Sequence, residues 1–560
     1  MKQEADILKK YFKKKNLGLI VILAICLSSI ALTKSDFYRE IGRSQRLINE
    51  IYKQIFVNYV DELDPAAFTK ASIQGMTQNL DPYSVYMEDE EHHSIDVLAK
   101  GRYGGIGIEL GLRNKKLSVI SPMDGGPAKS AGILSGDIII KIDEHDAEHI
   151  SLREAANFMR GEKGTPIVLK IKRYGRKEIL TFNLNRALID VKDITYSDML
   201  NESTGYIRLN RFSLNAPAAM RRAVLDLLDR NAGEIIIDLR NNPGGLLNSA
   251  VSILDLFIPK GEILVTTAGR TKDSNKSFSS RNSPVVPLDI KLVVLINQGS
   301  ASASEIVSGA IQDLDRGLIM GEKSFGKGLV QKVLGIDKIR SLKITTAKYF
   351  IPSGRLIQKR DYIDNKYVLN RVEEDSIFFT KNGRSVRGGG GITPDSTVKA
   401  LKLPVLAAKY LNYGIFFSFA QKNKYEYKNL ADVIADETLI SKFRIFTDSL
   451  EIPIQLPGEE NLKLLKQELF SLDSTKIETN RALSTLSDFY EKQMDIMFDQ
   501  ESKQLRERII VEFAGLIEGN EGRIKQILKN DTVLQTALNL LHNEISYELA
   551  ISQNSRSKKL

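Results

Sequence analysis

Lys291 to Asp313 read KLVVLINQGSASASEIVSGAIQD. The apolar run Lys291 to Ile296 shows no alternation, which fits a strand buried on both faces of a sheet. Small polar residues break it, and Ser302, with Glu305 three positions on, opens a helix. The alternation continues to either side, with TGYIRLN, a helix over Ala216 to Asn231, EIIIDLR, a helix after Gly245, RGLIM and SLKITTAKYF. Strands of this kind between helices predict a largely parallel sheet covered on both faces. GRSVRGGGGITPD closes this region, and Gly388 to Gly391 read as flexible backbone ahead of a proline stop.

At 560 residues the chain is too long for one hydrophobic core, so three or four folded units are expected. A hydrophobic fraction of 42% and a charged fraction of 27% exclude wholesale disorder and a polytopic membrane protein. The net charge of +9 is spread along the chain without interleaved aromatics, so no nucleic-acid partner is expected. Part of the excess, Lys2, Lys9, Lys10 and Lys13 to Lys15, precedes the apolar run LGLIVILAICLSSIAL at Leu17 to Leu32. Lysines there hold such a run with its N-terminus in the cytoplasm. An uncleaved anchor and a cleaved signal peptide compete for this short run; the weakness of any cleavage site, at Ser28 to Ala31, favours the anchor. Either way the rest is exported, to the periplasmic side of a bacterial inner membrane. The single cysteine, Cys26, lies inside the run, so the exported part forms no disulfides.

Ile48, Ile51, Ile55 and Tyr59 make one helical stripe, and Phe68, Ile73 and Met76 another, before LDPYS at Leu80 to Ser84 breaks the pattern. Gly101 to Arg186 hold short β runs with turn glycines and one helix at Leu152 to Arg160. Within them, GPAKSAGILSGDIIIKI resembles a bacterial PDZ domain. PDZ domains bind a C-terminal peptide by strand addition, with glycine-loop amides on its carboxylate. The corresponding loop here is Tyr103, Gly104, Gly105, Ile106 and Gly107. Beyond Ala400 the sequence is helical and charged, with Leu462, Leu465 and Leu469 on one face, and carries no chemistry of its own.

None of the five histidines, His92, His93, His145, His149 and His542, falls on the predicted catalytic sheet, so a histidine triad is not expected. No HExxH metal motif is present either. A serine at the junction of strand and helix, by contrast, stands where helix amides and dipole favour an oxyanion. Ser302 and Glu305 equally satisfy a helix cap, and Ser300, Ser304 and Ser308 are alternatives of the same type. In GEKSFGKGLVQ, Gly321 to Gln331, Lys327 sits between two glycines, as a positioned residue would. To act as a base its pKa must fall from about 10.4 to roughly 7 or 8, a cost of about 4 kcal/mol that a desolvated pocket can supply. Gly321 to Lys327 also begin a phosphate-binding loop, but Gly328 replaces the Ser or Thr that holds magnesium, and a strand follows where a helix is needed. DLRNNPGGLL, Asp238 to Leu247, is a strand ending in a turn whose amides can converge on a point.

Together GSASASEIVSGAIQD, GEKSFGKGLVQ, DLRNNPGG, the PDZ-like segment and LDPYS resemble the C-terminal processing peptidases, or tail-specific proteases, over residues 45 to 395. The resemblance implies a serine endopeptidase with Ser302 as nucleophile, Lys327 as base and Gln331 orienting the lysine, without metal or cofactor. It implies an oxyanion hole from Ala303 and either Gly244 or Gly245, substrates with unstructured C-termini, and Arg160 as a PDZ sensor. Ile351 and Ser353 depart from the family's pattern, as does the long helical tail. The expected organisation is α+β and multidomain: basic segment and anchor 1–34, helical region 35–98, PDZ barrel 99–187, a crotonase- or ClpP-like α/β peptidase core 188–398, and a helical extension 399–560 that packs, dimerises or shapes access. A PDZ scaffold that binds tails without cutting is the alternative.

Overall fold

The computed structural model describes residues 36–88, 101–113, 116–123, 125–173, 176–337, 339–363, 366–369, 376–450, 458–472 and 477–552. The expected anchor lies outside them. No described helix is long and apolar enough to cross a membrane. The chain divides into two compact units, Met1–Thr77 and Gln78–Leu560.

In the first unit a helix over 36–58 pairs with the helix Pro65–Gln78. They meet through Tyr52, Phe56 and Phe68, with ring centroids 4.7 to 5.6 Å apart. The two predicted stripes are only partly used. Ile48, Ile51, Tyr59 and Met76 stay exposed, because two helices alone bury a single line of contact.

The second unit opens with the PDZ barrel. Its main sheet runs Ile108–Arg113, Lys116–Pro122, Ile138–Ile142, Pro166–Lys172 and Ile179–Asn185, closed over a core that includes Val119, Ile142, Leu169 and Ile171. Ser151 and Glu154 form a capping box that starts the helix Leu152–Met159, and Arg160 ends it. Arg102–Gly105 pairs antiparallel with Ala187–Asp190, so entry and exit of this domain are zipped together.

The central sheet has the order Ile194–Met199, Thr204–Leu209, Glu234–Asp238, Lys291–Ile296, Leu318–Gly321, Ser396–Thr397, parallel except for the first pair. Alternate residues of its apolar strands enter two different cores, as the unbroken hydrophobicity requires. Ile235, Ile237, Leu292 and Val294 face the helices Ala216–Asp229, Leu247–Leu254 and Ala303–Asp313. Tyr206, Ile236, Val293 and Leu295 face Leu528, Leu534, Ala537 and Leu541 of the C-terminal extension. The extension is therefore no appendage after residue 398: its helices Gly519–Lys529, Thr532–His542 and Glu544–Ser552 are the second covering layer.

A second, antiparallel sheet joins Val85–Glu88, Arg340–Phe350, Ile263–Ala268 and Lys276–Ser279, with Leu329–Gly335 paired to Arg340–Phe350. The rest of the extension is an aromatic bundle, Phe416, Phe419, Phe443 and Phe513, around the long helix Ile477–Ile517. Its Gln421 amide reaches the PDZ domain, donating to the Gly136 carbonyl at 3.1 Å. Leu462 is buried but Leu465 is exposed, so the predicted leucine face is only partly covered.

Candidate active site

Ser302 sits where the central strand Lys291–Ile296 turns into the helix Ala303–Asp313, with backbone angles φ 54° and ψ −113°. A non-glycine residue there is strained by roughly 1–3 kcal/mol and needs surroundings that enforce it. Those surroundings are a neighbouring turn. The Asn242 carbonyl accepts the Ala301 N–H at 3.0 Å and the Ser304 hydroxyl at 2.9 Å, while Asn241 and Asn297 exchange hydrogen bonds at 2.8 and 3.0 Å. Ser300 and Ser304, two of the alternative serines, are buried with their hydroxyls given to the Leu239 and Asn242 carbonyls; Ser308 bonds back to Ser304 within its helix.

Glu305, read from sequence only as a helix cap, is fully buried and accepts four hydrogen bonds. Oε2 takes the Ser302 N–H at 2.8 Å and the Lys327 N–H at 2.9 Å. Oε1 takes the Ser324 hydroxyl at 2.5 Å and the Gly326 N–H at 2.7 Å. Four donors and no acceptor require the ionised carboxylate. Burial nonetheless pushes its pKa up, the donors opposing. Tyr349 closes the arrangement from the other sheet, its hydroxyl lying 2.7 Å from the Lys327 carbonyl and 3.1 Å from that of Ser302.

The glycines around Lys327 have a steric reason. A Cβ on Gly326, at φ 87°, would lie 2.7 Å from Lys359 Cβ, and one on Gly328 would lie 3.0 Å from the Gln358 nitrogen. Gly388 to Gly391, expected to be flexible, are instead buried and packed under this loop. A Cβ on Gly391 would meet the Ser324 carbonyl oxygen at 2.6 Å, and Ile392 donates to the Ser324 hydroxyl oxygen at 2.6 Å. The Lys327 ammonium lies 4.5 Å from the centroid of the Tyr83 ring, which comes from the LDPYS turn. Its pKa is lowered to about 8, first by burial and then by the like charge of Lys343, against the pull of Glu305 and Asp81. Gln331, in the strand Leu329–Gly335, pairs with Thr345, and its amide donates to Thr345 Oγ1 at 3.4 Å.

Gly244 and Gly245, with φ 99° and 151°, form the end of the facing turn. A Cβ on Gly244 would lie 2.6 Å from the Ala301 oxygen and 2.9 Å from the Ala303 nitrogen, so this backbone presses directly on the Ser302 turn. The Gly244 N–H donates to Asn242 Oδ1 at 2.9 Å. Among the described residues the N–H groups of Gly245 and Ala303 have no protein acceptor.

In the PDZ domain Tyr103, Ile106, Gly107 and Arg160 are brought together around a cavity of about 60 Å³ that Leu110, Ala156 and Met159 also line. Gly104 and Gly105 do not line it; they stand in the strand paired with Ala187–Asp190. The Arg160 guanidinium lies 5.7 Å from the Tyr103 ring centroid. Glu305, Tyr349, Tyr83 and Ser324 were missed as site residues, and only Glu305 had a signal, its spacing from Ser302.

Three family models match the chain: peptidase family S41 over residues 203–368, the PDZ domain over 95–172, and the N-terminal domain of the activating protease CtpB over 30–91. A carboxy-terminal-processing protease of Bartonella bacilliformis is 38% identical over 330 residues, covering 58% of this chain and 74% of that one. A carboxyl-terminal-processing protease of Synechocystis is 32% identical over 369 residues, covering 63% and 85%. A solved photosystem II D1 C-terminal processing protease is 25% identical, covers 63% and 93%, and superposes with a TM-score of 0.36. With its S41 core, its PDZ domain and this degree of identity, the chain belongs to the carboxy-terminal processing serine proteases of peptidase family S41.

Proposed function

We propose that Ser302 and Lys327 are the nucleophile and general base of this protease, and that it processes exported proteins at or near their C-termini. The observation that carries the dyad is the shared Glu305 oxygen together with a Lys327 pKa near 8, which leaves a usable neutral fraction at physiological pH. Neutral Lys327 takes the Ser302 Oγ proton as Oγ bonds to the peptide carbonyl carbon. The carbonyl oxygen becomes an oxyanion facing the Gly245 and Ala303 N–H groups. Collapse breaks the C–N bond while Lys327 returns the proton to the leaving amine, and water then hydrolyses the acyl-enzyme through the same base. Gln331 orients the lysine. The small apolar cavity beside Gly107 receives the substrate's terminal side chain, with the nearby amides on its carboxylate and Arg160 sensing occupancy.

The lysines before Leu17 to Leu32 support retention as an anchor in a bacterial inner membrane, with the peptidase on the periplasmic side. Exposed Ile48, Ile51 and Tyr59 support a second copy as partner of the helical region. The decisive experiment incubates the full chain with a protein carrying an apolar, disordered C-terminal tail, beside Ser302→Ala and Lys327→Ala. Cleavage by wild type alone is expected. Cleavage surviving in either variant overturns the dyad, and binding without cleavage by wild type favours a scaffold.

A further inference from the structure

The turn Asn241–Gly245 begins at Arg240, and Arg240 is held by two carboxylates. Asp238, at the end of its own strand, accepts from Nε at 2.9 Å and from Nη2 at 2.5 Å. Asp531, in the C-terminal extension, accepts from Nη1 at 3.0 Å and from Nη2 at 2.6 Å. The three side chains are at most 14% exposed, so these contacts are little screened. Tyr206 adds a 2.6 Å hydrogen bond to Asp238 from below.

Asp531 is itself fixed. Its Oδ1 caps the helix Thr532–His542 by accepting the Val533 and Leu534 N–H groups at 3.0 and 3.1 Å. That helix runs along the sheet to the N-terminal ends of the strands, where the Leu541 carbonyl accepts from Lys291 at 3.1 Å. The next helix follows with Tyr547, whose hydroxyl bonds both the N–H and the carbonyl of Leu292 at 3.0 Å. The extension thus presents one rigid, two-pronged acceptor to the residue that leads into the turn against Ser302.

We propose that Asp531 is a positioning residue for peptide cleavage, by which the C-terminal extension sets the backbone of the turn Asn241–Gly245 through Arg240. From Arg240 the chain continues into Asn241, at φ 59°, and Asn242, which orients Gly244 and accepts from Ala301 and Ser304. A guanidinium released from Asp531 keeps its two-point contact with the strand carboxylate Asp238 but loses its tie to the C-terminal extension. A displacement of about 1 Å at an oxyanion donor is enough to cost roughly 100-fold in rate. The inference rests on the dyad reading only for which turn faces the reacting carbonyl.

The test compares wild type, Asp531→Asn and Leu534→Ala as full chains. Asparagine keeps the helix cap and removes the charge, whereas Leu534→Ala opens the core of the same helix without touching Arg240. For Asp531→Asn, kcat is expected to fall about tenfold with KM within twofold. Affinity for a peptide boronic acid, which mimics the tetrahedral state, should fall by a similar factor. Leu534→Ala should lower the melting temperature and keep kcat well below it. Wild-type kcat in Asp531→Asn, a change confined to KM, or an equal kcat loss in Leu534→Ala overturns the proposal. Should Asp531→Asn not fold, Asp531→Ser, which keeps a capping hydroxyl and leaves Arg240 on Asp238, reads the same contact with the same outcomes. Loss of all cleavage by wild type would count against the dyad reading instead.

Discussion

Ser302 and Lys327 are joined through their backbones rather than only through their side chains: both N–H groups end on Glu305 Oε2, and both carbonyls face the Tyr349 hydroxyl. Two loops that leave neighbouring strands of the central sheet are thereby held in one frame, and the geometry of the proposed dyad depends on two residues that need not touch a substrate.

Replacing Glu305 by Gln tests the first clamp. The amide's NH2 would face donors, leaving at least one buried N–H or hydroxyl unpaired at about 1–3 kcal/mol each. Glu305→Gln is expected to lower the unfolding free energy by about 2 kcal/mol or more and kcat by at least tenfold, read by denaturant titration and steady-state kinetics. Unchanged kcat would refute the frame.

Tyr349→Phe tests the second. Loss of one hydroxyl facing two carbonyls should cost roughly 1–2 kcal/mol in stability. The kinetic loss should lie in kcat with KM nearly constant, since the hydroxyl holds backbone and not substrate.

The Lys327 pKa near 8 gives kcat/KM a defined pH dependence. The neutral amine is the active form, so the rate should rise about tenfold per pH unit below 8 and level off above it. Lys343 depresses that pKa by like charge, so Lys343→Gln should move the midpoint to higher pH and Lys343→Arg should leave it in place. A midpoint indifferent to Lys343→Gln contradicts the assignment.

The same shift makes Lys327 a stability cost. Its folded pKa lies below its unfolded one, so folding must bury a charge at any pH below about 8, and the penalty fades as pH rises toward 10.5. Lys327→Met is expected to be inactive yet about 3 kcal/mol more stable at pH 7. The advantage should shrink between pH 8 and 10.5 in denaturant melts.

Gly244→Ala addresses the facing turn. At φ 99°, with the new methyl 2.6 Å from the Ala301 oxygen, the turn must move off Ser302. Cleavage should fall about 100- to 1,000-fold, the usual effect of losing one oxyanion donor.

The sheet, its strands and the Ser302 and Lys327 windows were legible because each is written in local pattern: unbroken apolar runs, a helix start, a lysine between glycines. Glu305 was half legible, since its spacing from Ser302 is fully explained by a helix cap and nothing local betrays its bond to Lys327. Tyr349 carries no local mark at all, being just one of two aromatic residues at the end of a strand. Gly388 to Gly391 misled, because glycine permits flexibility and tight packing alike and only the neighbours decide. The pairing of Arg240 with Asp531, 291 positions apart, is invisible to any reading by periodicity. An amphipathic helix announces that it covers something, not which surface.

That the helices Gly519–Lys529 to Glu544–Ser552 roof the central sheet also bears on how the molecule comes into being. A growing polypeptide made as far as Arg387 already contains both residues of the proposed dyad, yet it lacks the helices that cover Tyr206, Ile236 and Val293. Completion waits for residues translated more than a hundred positions later. A chain that stopped before Asp531 would hold the residues proposed for cutting but not the second covering layer of the sheet that carries them.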